Sequence, residues 1–172
     1  MKRKQILGLR RGLDIIWRIC KGGKQMVSTR GRYALRVMID LAEQDSDSYI
    51  PLKDVAERQE ISKKYLEIIV RDLVSGGFIT GASGKGGGYK LCRKPEEYPV
   101  GEILEQMEGS IAPVSCVGKN SGECPRANSC HTLPMWAEFD QMVHDFFYQR
   151  TLRDLLQPGN SVQKREDEPQ NL

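Results

Sequence analysis

The chain has 172 residues, 39% hydrophobic and 28% charged, which suits one domain, or one domain with an appendage, and excludes a wholly disordered chain. Its net charge of +3 is uneven: Lys2, Arg3, Lys4, Arg10, Arg11, Arg18, Lys21 and Lys24 against Asp14 alone put +7 on the first 25 residues and leave −4 on the rest. Overall basicity is therefore a poor argument for a nucleic-acid partner, and no run approaches the roughly 20 consecutive apolar residues of a membrane span.

The stretch from Ile15 to Ile19 is interrupted by Arg18 and is too short for a signal-peptide core, so a cytoplasmic protein with no membrane partner is expected. Residues 1–25 end in Lys21-Gly22-Gly23-Lys24-Gln25 and read as a basic extension, either disordered or a DNA-contacting arm, with Met1 or Met26 as the native start. Between Val27 and Pro95 twelve Lys/Arg face nine Asp/Glu, whereas from Glu96 onward six face thirteen. Positive charge is thus concentrated in the front module, residues 26–95.

From Thr29 the positions Tyr33, Ala34, Val37, Met38 and Leu41 recur at helical spacing, predicting one helix through about Glu43. Asp45 to Ser48 form a loop, and Ile50-Pro51-Leu52 leads into a short second helix that turns Leu52, Val55 and Ala56 inward. Glu60 and Ile61 are turn residues. Ser62 is an N-cap for a third helix, Lys63 to about Ser75, that buries Leu66, Ile69, Val70, Leu73 and Val74 and stops at Gly76-Gly77. Two helices joined by a short turn make a helix-turn-helix.

Phe78-Ile79-Thr80 and Tyr89-Lys90-Leu91-Cys92 flank the glycine-rich segment 81–88 with Lys85 at its centre. Two β-capable runs around such a tip predict a wing that can approach a phosphate backbone. A nucleotide-binding loop is the competing reading, but the G-x-x-x-x-G-K-[ST] pattern is absent and no helix follows. Cys92 is read as a core thiol of the wing strand.

After Pro95 a helix from Val100 to about Met107 buries Ile103, Leu104 and Met107 and ends at Gly109. The loop CVGKNSGECPRANSC follows, carrying Cys116, Cys124 and Cys130. Five cysteines, three of them in one loop and with no secretory signal, fit metal ligation in a reducing compartment better than a disulfide framework. Thiolates are soft ligands suited to iron–sulfur centres, although zinc would also accept them given a fourth donor. From Leu133 to about Leu156 one long helix is predicted, with Trp136, Phe139, Val143 and Phe146 near heptad spacing. Its aromatic face predicts a homodimer, with packing on the chain's own core as the alternative. Residues 96–156 thus form a cysteine-loop and dimerisation segment, and residues 157–172 a polar tail.

Taken together, STRGRYALRVMIDLA (Ser28 to Ala42), PLKDVAERQEISKKYLEIIVRDLVSGGFI (Pro51 to Ile79), GKGGGYKL (Gly84 to Leu91) and the three-cysteine loop resemble the bacterial Rrf-type repressors typified by IscR, NsrR and CymR. The resemblance spans Met26 to about Leu156. It implies a mainly α, winged helix-turn-helix homodimer that binds palindromic promoter DNA and, in cysteine-bearing members, senses iron–sulfur status, nitric oxide or redox stress through an iron–sulfur cluster. It implies no small-molecule substrate. The exposed start of the third helix, with Ser62, Lys63, Lys64, Tyr65 and Glu67, would then read the major groove. Glu67 matches an acidic residue linked to site discrimination in IscR. Arg30, Arg32 and Lys85 are phosphate-contact candidates.

The cysteine loop departs from the pattern of these relatives. Seven residues separate Cys116 from Cys124 where relatives have about five, and the position of their fourth ligand, a histidine three residues after the third cysteine, is Leu133. His131, a partner-subunit residue near Arg32 to Arg36, or a small exogenous ligand is left to complete the site, with 2Fe-2S favoured over 4Fe-4S. A cluster-free or zinc-bound partner-binding module of the CymR type is the alternative. An enzyme is not expected, since no nucleophile, base and orienting acid share one region.

Overall fold

A computed structural model describes residues 26–44, 48–118 and 124–156. The basic extension with Cys20, the tail from Gln157, the centre of the first loop and residues 119–123 lie outside the described residues.

Three helices come first: α1 (Thr29–Glu43), α2 (Leu52–Gln59) and α3 (Lys63–Ser75). Their ends are fixed by side chains the sequence supplies. Ser28 Oγ accepts from the backbone N–H of Arg30 and Gly31 at the start of α1, and Ser62 Oγ accepts from Tyr65 N–H at the start of α3. At the far end of α3, Gly77 adopts φ +73°, and Phe78 N–H returns to Leu73 C=O at 2.9 Å, closing the helix with a left-handed glycine. Ala34, Val37, Met38 and Leu41 of α1 bury against Val55 of α2 and Leu66, Ile69, Val70 and Leu73 of α3. That is the expected core with one exception: Val74 is 42% exposed.

The turn between α2 and α3 forms at the expected residues, Glu60 and Ile61. Glu60 takes φ 53° and ψ 40°, the left-handed conformation, which lets the chain reverse in two residues. Ile61, the second expected turn residue, is buried at 6% exposure and pins the turn to the core.

Strands β1 (Ile79–Ala82) and β2 (Gly88–Leu91) pair antiparallel, Ile79 opposite Leu91 and Ala82 opposite Gly88. Ile50 adds a bridge on the outer side of β2, exchanging hydrogen bonds of 2.9 and 2.8 Å with Tyr89. Gly88 is required there because a Cβ would overlap the Ile50 carbonyl. Cys92 is exposed rather than a core thiol, since the strand ends at Leu91 and the chain turns outward into a 3₁₀ turn at Pro95–Glu97.

Helix α4 (Val100–Glu108) lies across α1. Tyr98, Ile103 and Met107 share the core of α1–α3. Tyr98 has no exposed surface, donates from its hydroxyl to Phe78 C=O at 2.8 Å and accepts from Arg93 N–H at 2.6 Å. The long helix predicted to reach Leu156 is divided into α5 (Leu133–Tyr148) and α6 (Leu152–Leu155). Thr151 Oγ1 and Asp154 form a capping box that starts a new helix. Leu152, fully buried, donates its N–H to Tyr98 C=O at 2.9 Å and so belongs to the winged-helix core. The architecture is mainly α with a two-stranded wing.

A candidate nucleic-acid interface and a three-cysteine loop

Three elements, α1, α2 and α4, position α3. Asp40 on α1, 1% exposed, accepts from Arg58 Nε at 3.0 Å, Arg58 Nη2 at 2.6 Å and Gln59 Nε2 at 2.9 Å. Arg36 Nε in turn donates to Gln59 Oε1 at 3.0 Å, and its Nη2 to the Gln59 carbonyl. This network ties α1 to the last turn of α2, immediately before the left-handed Glu60. Arg30 pairs with Asp72, bracing α1 against α3, and Gln106 of α4 donates to the Asp72 carbonyl at 3.0 Å.

With its inner face so held, α3 turns Lys63, Lys64, Glu67 and Arg71 to solvent. Ser62 is consumed as the cap of α3, and Tyr65 is half-buried with its ring edge against Tyr33, centroids 5.8 Å apart. Arg30, expected to contact phosphate, is ion-paired with Asp72. Arg32 donates to Thr29 Oγ1 at 3.1 Å and is exposed. Lys85 stands exposed at the wing tip between Gly84 at φ +94° and Gly86 at φ +78°, a conformation that favours glycine. Between α3 and the wing an open groove of about 600 Å³ is lined by Glu67, Arg71 and Tyr89 with the glycines Gly81 and Gly88. Arg71 was not singled out in the sequence. Its spacing of four from Glu67 on the same face was the available signal.

The cysteine loop joins α4 to α5. Cys116, Cys124 and Cys130 are free thiols, each partly exposed. Cys130 Sγ lies 3.4 Å from Thr132 Oγ1, and the hydroxyl and backbone of Thr132 hold its thiol below the ordinary range, with a further contribution from Arg126. A lowered thiol is a better ligand and nucleophile at neutral pH. His131 is exposed beside it. Among the described residues no three of His, Cys, Asp or Glu are close enough together to hold a metal ion. The donor chemistry therefore suits a soft metal or cluster, while the described arrangement does not gather the three thiols.

Helix α5 packs on α4 through a close approach: a Cβ at Gly101 would overlap the ring of Tyr148. The Tyr148 hydroxyl donates to Glu105 Oε2 at 2.7 Å, and burial together with that carboxylate pushes it far up. His144 stacks on the same ring, centroids 4.1 Å apart. Of the four residues expected on a dimer seam, Phe139 and Phe146 are exposed at 42% and 52% and Trp136 is half-buried, whereas Val143 is buried within its own chain. The exposed stripe is instead Met135, Phe139, Met142 and Phe146.

The Rrf2 family model, described as Iron-dependent Transcriptional regulator, matches residues 27–158. Protein rrf2 of Nitratidesulfovibrio vulgaris is 38% identical over 138 residues, covering 80% of this chain and 91% of that protein. The HTH-type transcriptional regulator IscR of Aliivibrio salmonicida is 33% identical over 141 residues, 82% of each chain. Among solved structures, CymR, the global cysteine regulator of B. subtilis, superposes with TM-score 0.61 at 32% identity, covering 76% of this chain and 95% of its own. T. potens IscR superposes with TM-score 0.59 at 29% identity, covering 76% of this chain and 85% of its own. The relatives are transcriptional regulators and not enzymes, and the chain belongs to the Rrf2 family of winged helix-turn-helix transcriptional regulators.

Proposed function

We propose that this chain is a cytoplasmic homodimeric repressor that places two α3 helices in successive major grooves of a palindromic promoter and changes its affinity with the state of an iron–sulfur cluster. The observation that carries the DNA reading is the exposed row Lys63, Lys64 and Glu67 at the start of α3, beside a wing bearing Lys85. Lysines at these positions neutralise phosphates, and Glu67 accepts from a cytosine amino group while repelling acceptor edges. The stripe Met135, Phe139, Met142 and Phe146 supports pairing of two α5 helices, because an apolar face at spacings of four, three and four is that of a coiled-coil seam.

For the sensor, Cys116, Cys124 and Cys130 would hold the cluster, with His131 the nearest candidate in this chain for a fourth ligand, and a 2Fe-2S centre is favoured. A bound cluster would supply one-electron iron redox chemistry and iron atoms that bind nitric oxide, beyond the oxidation chemistry of the thiols themselves. The protein's own contribution is the Thr132 hydrogen bond, which lowers the Cys130 thiol and so favours its ligating form, and the connection of the loop to α4 and α5. Signal and DNA affinity are then two linked sites. A second reading, a cluster-free or zinc-bound regulator of the CymR type acting through a partner, is favoured by the likeness to CymR and by the ungathered thiols.

The experiment is selection from a pool of random-sequence duplexes by the full chain purified without oxygen, repeated with Cys116→Ala, Cys124→Ala and Cys130→Ala. The expected result is a palindromic consensus whose affinity changes in all three variants. Retention of no duplex would remove the DNA reading. A consensus bound equally by all four proteins would favour the second reading.

A further inference from the structure

Four arginines of the described residues are ion-paired internally: Arg30 with Asp72, Arg58 with Asp40, Arg93 with Glu102 and Arg153 with Glu96. Arg71 makes no hydrogen bond or ion pair among the described residues, although it shares α3 with two acids. Asp72, its neighbour, is taken by Arg30, and the carboxylate of Glu67, one turn back, forms no pair with it. Arg71 therefore lies along the groove between α3 and the wing with its charge uncompensated.

The position within the helix separates its role from that of Lys64 and Glu67. At 1.5 Å per residue Arg71 stands about 10 Å beyond Lys64 along the axis, in the half of a recognition helix that leaves the groove floor and passes the sugar–phosphate strand. The opposite wall of the groove is formed by Gly81, Ala82, Ser83 and Gly88 with the half-buried ring of Tyr89, so most of it is small side chains and backbone, and Lys85 stands exposed at the tip of the same wing. From these placements we infer that Arg71 grips the phosphate strand that separates the major groove occupied by α3 from the minor groove beneath the wing. The inference rests on the reading of α3 as the recognition helix, and it assigns Arg71 to affinity and register and not to sequence choice.

The test uses the full chain and the consensus duplex obtained by selection, alongside an unrelated duplex of equal length. Arg71→Gln is expected to weaken binding to both duplexes by about tenfold and to reduce the slope of log affinity against log salt by about one, with Arg71→Lys retaining the slope. An unchanged melting temperature in both variants checks that the fold is intact, as expected for an exposed side chain. Unchanged affinity and slope in Arg71→Gln would overturn the phosphate contact. So would an altered consensus with an unchanged slope, which would make Arg71 a base reader. If the wild-type chain retains no duplex, the recognition-helix reading itself fails, and the two failures are told apart by that control.

Discussion

Asp40 and Arg58 form a two-toothed ion pair in which the acid is inside and the base is at the surface: the Asp40 side chain is 1% exposed and the Arg58 side chain 38%. The hydrogen bond to Asp40 is the main cause of the upward shift of Arg58. The consequences of removing the partners are therefore unequal. Arg58→Ala leaves a buried carboxylate with only Gln59 as a partner and should destabilise the fold by about 3 kcal/mol, whereas Asp40→Asn leaves an arginine that can reach water and should cost about 1–2 kcal/mol. Urea unfolding of both variants checks the order, and equal losses would contradict it.

Glu60 sits in the left-handed region, where a side chain costs roughly 1 kcal/mol relative to glycine. Glu60→Gly is expected to raise the melting temperature by about 2–4 °C, measured by thermal unfolding. Loss of stability would show that the Glu60 side chain makes a contribution outweighing its backbone strain.

Gly101 is a point of close approach of α4 to α5, and any Cβ there overlaps the Tyr148 ring. Gly101→Ala should cost about 1–3 kcal/mol by forcing the helices apart. Because the displaced ring also carries the hydrogen bond to Glu105, the near-ultraviolet circular dichroism of the tyrosines should change as well.

The Thr132 hydroxyl, as the largest cause, lowers the Cys130 thiol. The thiolate is the reactive form, so a depressed thiol reacts at lower pH. Alkylation of Cys130 followed against pH should have its midpoint below that of an ordinary cysteine, and Thr132→Val should move the midpoint up. Mass spectrometry of peptides from a pH series reads this residue by residue, and an unmoved midpoint in Thr132→Val would rule out the hydroxyl as the cause.

Phe139 and Phe146 with Met135 and Met142 expose an apolar stripe on α5. If two copies meet there, Met142→Glu should shift sedimentation from dimer toward monomer without lowering the melting temperature of the winged-helix core, since a charge on a buried seam is strongly disfavoured. A variant that still sediments as a dimer would place the interface elsewhere.

Much of this fold is legible in the sequence because local and tertiary preferences agree. The helical spacing of Ala34, Val37, Met38 and Leu41, the Ser62 cap and the Gly76-Gly77 stop all specify elements that the structure contains. What escaped depends on contacts distant in sequence. Leu152 leaves the predicted long helix because Tyr98 offers it a backbone acceptor and a core pocket, although the Thr151–Asp154 capping box was visible locally. Val143 has the spacing of a seam residue, but the fold turns it inward. Arg71 and Arg30 both look like exposed cations in the sequence; only the three-dimensional pairing of Arg30 with Asp72 distinguishes them. The spacing of the three cysteines suggests their chemistry, whereas their assembly into one site depends on a conformation of the loop that no short-range pattern specifies.

The proposed ligation of an iron–sulfur cluster by the three loop cysteines is read out by the visible absorption spectrum and the iron and acid-labile sulfide content of the full chain purified without oxygen. Cluster ligation predicts charge-transfer absorbance at roughly 320–460 nm with stoichiometric iron and sulfide, lost in Cys116→Ala, Cys124→Ala and Cys130→Ala. A colourless protein containing zinc or no metal, or colour that survives all three substitutions, would contradict it.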